Sequence, residues 1–139
     1  MRVAFGTDED TPTCDAVRRR LVEMGHEVTE PAPGSQWPEV GQAVASSVVD
    51  GEADRGVVCC WTGTGVSIAA NKVAGVRAAL CSDSETARGA RRWNDANVLA
   101  LSLRSTTPAL AEEILDAFLS TEADPGELDV IARVERRSG

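Results

Sequence analysis

Gly56-Val57-Val58-Cys59-Cys60 constrains the fold of this chain more than any other stretch. It has no polar side chain on either face. A strand wetted on one side alternates apolar and polar residues, whereas an unbroken apolar run needs cover on both sides, as in a parallel sheet sandwiched between helices. The rest of the chain repeats the theme. Val3-Ala4-Phe5, His26 to Thr29, Arg77 to Cys81 and Val98 to Ser102 read as further strands, with Gly6-Thr7-Asp8 breaking the first. Helical spacing fills the intervals: about Thr13 to Met24, Pro38 to Val49, Val66 to Lys72, Ser84 to Trp93 and Pro108 to Leu119. Val17, Leu21 and Met24 share one helical face, and Leu110, Ile114, Leu115 and Phe118 share another. Strands alternating with helices predict an α/β fold. The expected form is a doubly wound, Rossmann-like three-layer sandwich with a mostly parallel sheet of about five strands and right-handed crossovers.

Length and composition narrow the rest. The 139 residues contain no repeat or linker and read as one domain over 1–139. A charged, helical piece from Leu128 to Arg137 ends the chain, and the segment from about 121 is expected to pack on a partner subunit. A formal net charge of −8 argues against nucleic acid or an anionic membrane as partner. No run approaches a membrane span and the N-terminus lacks a signal-peptide pattern, so a cytoplasmic protein is expected. Cys14, Cys59, Cys60 and Cys81 form no CxxC pair, and His26 is the lone imidazole. No metal site is therefore expected, and His26, just after a helix stop at Gly25, reads as a helix-end residue.

Ligands of open α/β sheets bind beyond the C-terminal strand ends. Three loops are expected there: the one after Gly6, the one from Cys60 to Gly65, and the one after Ser102. Cys60-Trp61-Thr62-Gly63-Thr64-Gly65-Val66-Ser67 carries the most chemistry. A thiol stands where a buried strand ends and a glycine turn opens a helix. Helix N-terminal amides favour negative charge, which supports both a thiolate and a developing enolate oxygen. A base beside an oxyanion cradle is what proton abstraction next to a carbonyl requires.

These residues, with Gly51-Glu52-Ala53-Asp54-Arg55-Gly56, Ser67-Ile68-Ala69-Ala70-Asn71-Lys72, Gly75 to Cys81 and Asn94 to Leu99, closely resemble one family in order and spacing. It is that of ribose-5-phosphate isomerase B and the galactose-6-phosphate isomerase subunits. The likeness runs over about residues 1 to 120. It implies a cofactor-independent aldose–ketose isomerase working through a cis-enediolate, as a homodimer or homotetramer with active sites at subunit interfaces. By resemblance, Cys60 is the base and Thr62 handles a hydroxyl proton. Gly63, Gly65 and Ser67 belong to the enediolate cradle. Asp8 and Asn94 meet sugar hydroxyls, and Arg104 and Arg133 meet a phosphate.

The sequence also departs from that family. Glu9 stands where the family has a histidine, and Trp93 where it has the histidine that opens the sugar ring. Trp61 replaces a glycine, Trp37 a tyrosine, and Asp129 aligns with an arginine. Tryptophan exchanges no proton at neutral pH, so ring opening at position 93 is lost. Glu9 and Asp129 put negative charge where a phosphate would bind, a repulsion at intermediate dielectric. Trp37, Trp61 and Trp93 offer apolar walls for a sugar's C–H face, and Glu9 is a candidate acid–base group. The expected substrate is a sugar or sugar phosphate other than ordinary ribose 5-phosphate. A related epimerase and a non-catalytic or partner-dependent subunit are the alternatives.

Overall fold

The computed structural model describes residues 1–136. Five strands and six α-helices alternate: β1 (Arg2–Thr7), α1 (Pro12–Glu23), β2 (Glu27–Thr29), α2 (Trp37–Val49), β3 (Arg55–Cys60), α3 (Thr64–Asn71), β4 (Ala78–Leu80), α4 (Ser84–Asn94), β5 (Val98–Ser102), α5 (Pro108–Ser120) and α6 (Leu128–Ala132). All strand pairs are parallel, in the order β2-β1-β3-β5-β4. The chain leaves β1 towards β2, then crosses back to place β3 on the other side. That reversal is the topological switch point of a doubly wound sheet. No helix among the described residues is long and apolar enough to cross a membrane.

The unbroken apolar strand explains the three layers. Every residue from Gly56 to Cys60 is buried, and the pleat sends alternate side chains to opposite faces. Val57 and Cys59 join Val3, Phe5, Leu99 and Leu101 in a core beneath α1, α4 and α5. Val58 and Cys60 join Ala4, Val98 and Ala100 in a second core beneath α2 and α3. A single step along β3 thus separates a thiol sealed in one layer from a thiol facing the other.

Local signals set the boundaries. Pro12 opens α1 behind Thr11, whose hydroxyl accepts from the Cys14 N–H at 3.4 Å. At the other end the Gly25 N–H donates to the Val22 carbonyl and the His26 N–H to the Leu21 carbonyl, the paired bonds of a Schellman stop.

Most boundaries fall within one residue of those expected from the sequence, and three differ by more. Strand β1 continues through Gly6 and Thr7 rather than breaking at Gly6. The glycine is there for space: a Cβ on it would meet Val40 at 2.7 Å and Val44 at 3.0 Å, so α2 lies directly against the strand. Helix α3 begins at Thr64, two residues earlier than expected, because Gly63 supplies its cap. The C-terminal piece is not one helix. Two 3₁₀ turns, Pro125–Glu127 and Arg133–Glu135, flank the five-residue α6. Arg137 lies outside the described residues. The segment packs on its own protomer through buried Ile131 and the 2.8 Å pair of Glu135 with Arg77. Leu128, Val130 and Val134 remain exposed.

Candidate active site

Strands β1, β3 and β5 are neighbours, so their three C-terminal loops converge. The second and third loops are stitched together. The Leu103 N–H donates to the Cys60 carbonyl at 3.0 Å, the Arg104 N–H to the Trp61 carbonyl at 2.8 Å, and the Ser102 hydroxyl to the same Trp61 carbonyl at 3.1 Å. The first loop is tied from below. The Thr7 hydroxyl donates to the Glu9 carbonyl at 2.7 Å, and the Cys14 thiol donates to it at 3.2 Å.

Between these loops lies a cavity of about 290 Å³, lined by Asp8, Trp37, Cys60, Trp61, Thr62, Thr64 and Gly65. Cys60 is 5% exposed and lines this space. The other three thiols are sealed, Cys14 and Cys59 at 0% and Cys81 at 1%. Hydrogen bonding, first from Cys59, holds the Cys14 thiol at about 6 despite its burial. Burial pushes Cys81 up to about 11. Ionisation without access does no chemistry, so Cys60 is the one cysteine placed to meet a ligand.

The floor of the cavity is the start of α3. Gly63 caps that helix at φ +76°, and no side chain takes up the first amides. The N–H groups of Thr64, Gly65 and Val66 precede the first intrahelical donor, Ser67, whose N–H reaches the Gly63 carbonyl at 3.3 Å. Free amides at a helix start beside a thiol form a cradle for an oxyanion. Position 63 must be glycine on two counts. Its φ is left-handed, and a Cβ there would lie 2.9 Å from the backbone of both Leu101 and Ser102. The Thr62 and Thr64 hydroxyls share a 2.7 Å hydrogen bond at the rim. Trp37, at the start of α2, lays its ring against Gly65, where a Cβ would meet it at 2.9 Å. The α2–α3 packing thus makes Trp37 a wall of the cavity.

The expected site residues therefore fall into groups. Asp8, Cys60, Trp61, Thr62, Gly63 and Gly65 come together, and Arg104 stands next to them through its bond to Trp61. Ser67 lies one turn further along α3. Glu9 shares the first loop, but its side chain is exposed and outside the cavity lining. Trp93 and Asn94 end α4, near the start of β5, so the length of a strand, roughly 15 Å, separates them from Cys60. Trp93 folds back on Gly89 of its own helix and is 55% exposed. Asn94 borders a second groove with Val134 and Glu135, next to Arg133. Among the described residues, no three His, Cys, Asp or Glu side chains gather as a metal-holding group.

Comparison with known proteins agrees with this architecture. The profile of the ribose/galactose isomerase family matches residues 3–136. Ribose-5-phosphate isomerase B of Escherichia coli K12 is 37% identical, over 98% of this chain and 97% of that one. D-erythrulose-4-phosphate isomerase of Pectobacterium atrosepticum is 44% identical over 90 residues, 65% of this chain and 59% of that one. The solved ribose-5-phosphate isomerase B of Clostridium thermocellum superposes with a TM-score of 0.91 at 36% identity, covering 97% of this chain and 95% of that one. The chain belongs to the ribose/galactose isomerase family of sugar-phosphate isomerases.

Proposed function

We propose that this chain interconverts an aldose phosphate and its ketose, with the Cys60 thiolate as the base. The thiolate takes a proton from the carbon beside the carbonyl. The uncapped amides of Thr64, Gly65 and Val66 hold the enediolate oxygen while the charge is there. The same sulfur then returns the proton to the neighbouring carbon, and the Thr62 hydroxyl relays the proton between the two oxygens. The step is redox-neutral within the substrate and calls for no cofactor. Asp8 accepts a hydrogen bond from a sugar hydroxyl, and Arg104 lies on the side where the phosphate enters. Trp93, Asn94 and Arg133 join the site from a second copy of the chain.

The observation that carries this reading is Cys60 opening onto a cavity whose floor is an uncapped helix start. The relatives' names include both a five-carbon and a four-carbon sugar phosphate. Those names leave the substrate's length to be argued from the site. Cys60→Ala tests the mechanism. Turnover should fall by roughly 10²–10⁴-fold, the usual contribution of a positioned base, with the circular dichroism spectrum unchanged. Native thiol titration should find one fast-reacting thiol, absent from the variant. Unchanged turnover in Cys60→Ala would show that another group moves the proton.

A further inference from the structure

We infer that the substrate of this site is a four-carbon sugar phosphate, one that cannot close into a ring. The inference rests on the isomerase reading above and deepens it.

Pentoses and hexoses spend nearly all their time as cyclic hemiacetals, which have no free carbonyl and no acidic C–H beside one. An isomerase that takes them must first open the ring. Opening removes a proton from the anomeric hydroxyl and delivers one to the ring oxygen, so it needs a group that both holds and exchanges a proton near neutral pH. The cavity offers none for that purpose. Trp37 and Trp61 do not exchange protons, and the Thr62 and Thr64 hydroxyls do not ionise. Asp8 is already engaged by a sugar hydroxyl in the reading above. Cys60 is committed to the C–H bond.

A second copy brings no imidazole or phenol to the cavity in their place. The chain has one histidine and no tyrosine. That histidine, His26, leads into edge strand β2 at the N-terminal ends of the strands, whereas Cys60 closes the C-terminal end of the central strand β3. Its Nδ1 is 3.0 Å from the N-terminal ammonium of Met1, and its Nε2 is enclosed without a partner. Any homo-oligomer of this chain is therefore short of an imidazole at every cavity.

Substrate chemistry then selects the chain length. Closing a five-membered ring needs a free hydroxyl three carbons beyond the carbonyl carbon. In ribose 5-phosphate the C4 hydroxyl serves. In a tetrose 4-phosphate that oxygen carries the phosphate, and in the matching 2-tetrulose no such carbon exists. Among terminally phosphorylated aldose–ketose pairs, only those of three and four carbons stay open on both sides of the reaction. Asp8 decides between these two. It faces the cavity with no ion-pair or hydrogen-bond partner among the described residues. A triose phosphate uses all its oxygens in the enediolate and the phosphate, whereas a tetrose phosphate has one further hydroxyl, on C3, to donate to that carboxylate.

The test follows isomerisation of both enantiomers of erythrulose 4-phosphate, of glyceraldehyde 3-phosphate and of ribose 5-phosphate at rising concentrations of the wild-type chain. One tetrulose phosphate should be turned over at a rate linear in enzyme. Ribose 5-phosphate should show a kcat/KM at least about tenfold lower, because only its open fraction can bind. Its rate should also stop rising with enzyme, at the rate of spontaneous ring opening. Ribose 5-phosphate turnover that climbs linearly past that rate would overturn the inference and leave the isomerase reading intact. Preference for the triose phosphate would overturn the four-carbon assignment. Turnover of none of these sugars would overturn the inference and the isomerase reading together.

Discussion

At the scale of single residues, the site depends on where side chains are absent as much as on where they stand. Gly63 joins β3 to α3 through a left-handed turn pressed against β5. An alanine there would meet the backbone of Leu101 and Ser102, which cannot rotate away as a side-chain tip can. Gly63→Ala should cost about 1–3 kcal/mol, seen as a lower urea midpoint. It should also cost more in kcat than in KM, because the shifted amides serve the enediolate more than the ground state. His26 gives a second residue-scale test. Burial first, and then the neighbouring N-terminal charge, hold its pKa below the usual 6.5. Protonation therefore favours the unfolded chain. The stability tied to neutral His26 is complete above 6.5 and is lost as pH falls through the lower folded value. Melting temperature should drop between pH 7.5 and 5.5, and His26→Gln should flatten that slope; an identical slope in the variant would assign it to other groups.

Among elements, α4 carries an unusual anchor. Arg91 is 1% exposed. Its Nε donates to the Thr121 carbonyl at 3.0 Å, and its Nη1 donates to Asp95 at 2.8 Å and to the Ala96 carbonyl at 2.7 Å. The guanidinium also lies 5.8 Å from the Phe118 ring centroid. It pins the end of α4 to the end of α5, just before Trp93 and Asn94. Arg91→Met fills similar space but leaves the Thr121 and Ala96 carbonyls without these donors and the Asp95 carboxylate with Arg77 alone. Each carbonyl left unmatched should cost about 1–3 kcal/mol, read from the urea midpoint at unchanged m-value. Arg91→Lys should fall between, since a single ammonium nitrogen cannot stand in for both Nε and Nη1. Nothing in the sequence announced this residue, because a buried arginine looks like any helix-surface arginine until its partners are known. The strands were more legible. Val98 to Ser102 matched residue for residue, because apolar runs bounded by polar turns leave little choice of register. The ends that differed most, at Gly6, at Thr64 and after Leu128, were set by tertiary contact: the close approach of α2, the Gly63 turn, and the packing of Ile131.

Over the whole molecule, the candidate site was legible as a set of residue types but not as a place. The Cys60-to-Gly65 run could be read from sequence because strand, turn and helix start are contiguous there. The separation of Trp93, Asn94 and Arg133 from it could not, since it follows from α4 running back along the sheet. One protomer holds the thiol and the cradle at one end and Asn94 at the other. Trp93 at 55% and Trp61 at 53% exposure leave apolar surface beside each group. If two copies join so that Asn94 of one meets Cys60 of the other, each site is built from two chains. Cys60→Ala and Asn94→Ala should then each be inactive alone. Co-expressed with different tags and paired at random in a two-fold dimer, they should recover about a quarter of wild-type activity. Half of the dimers are mixed, and each mixed dimer has one site with both residues intact and one with neither. The recovered activity should elute with the doubly tagged species. Doubly tagged dimers without activity would place Asn94 and Cys60 in separate roles, and would remove α4 from the catalytic site.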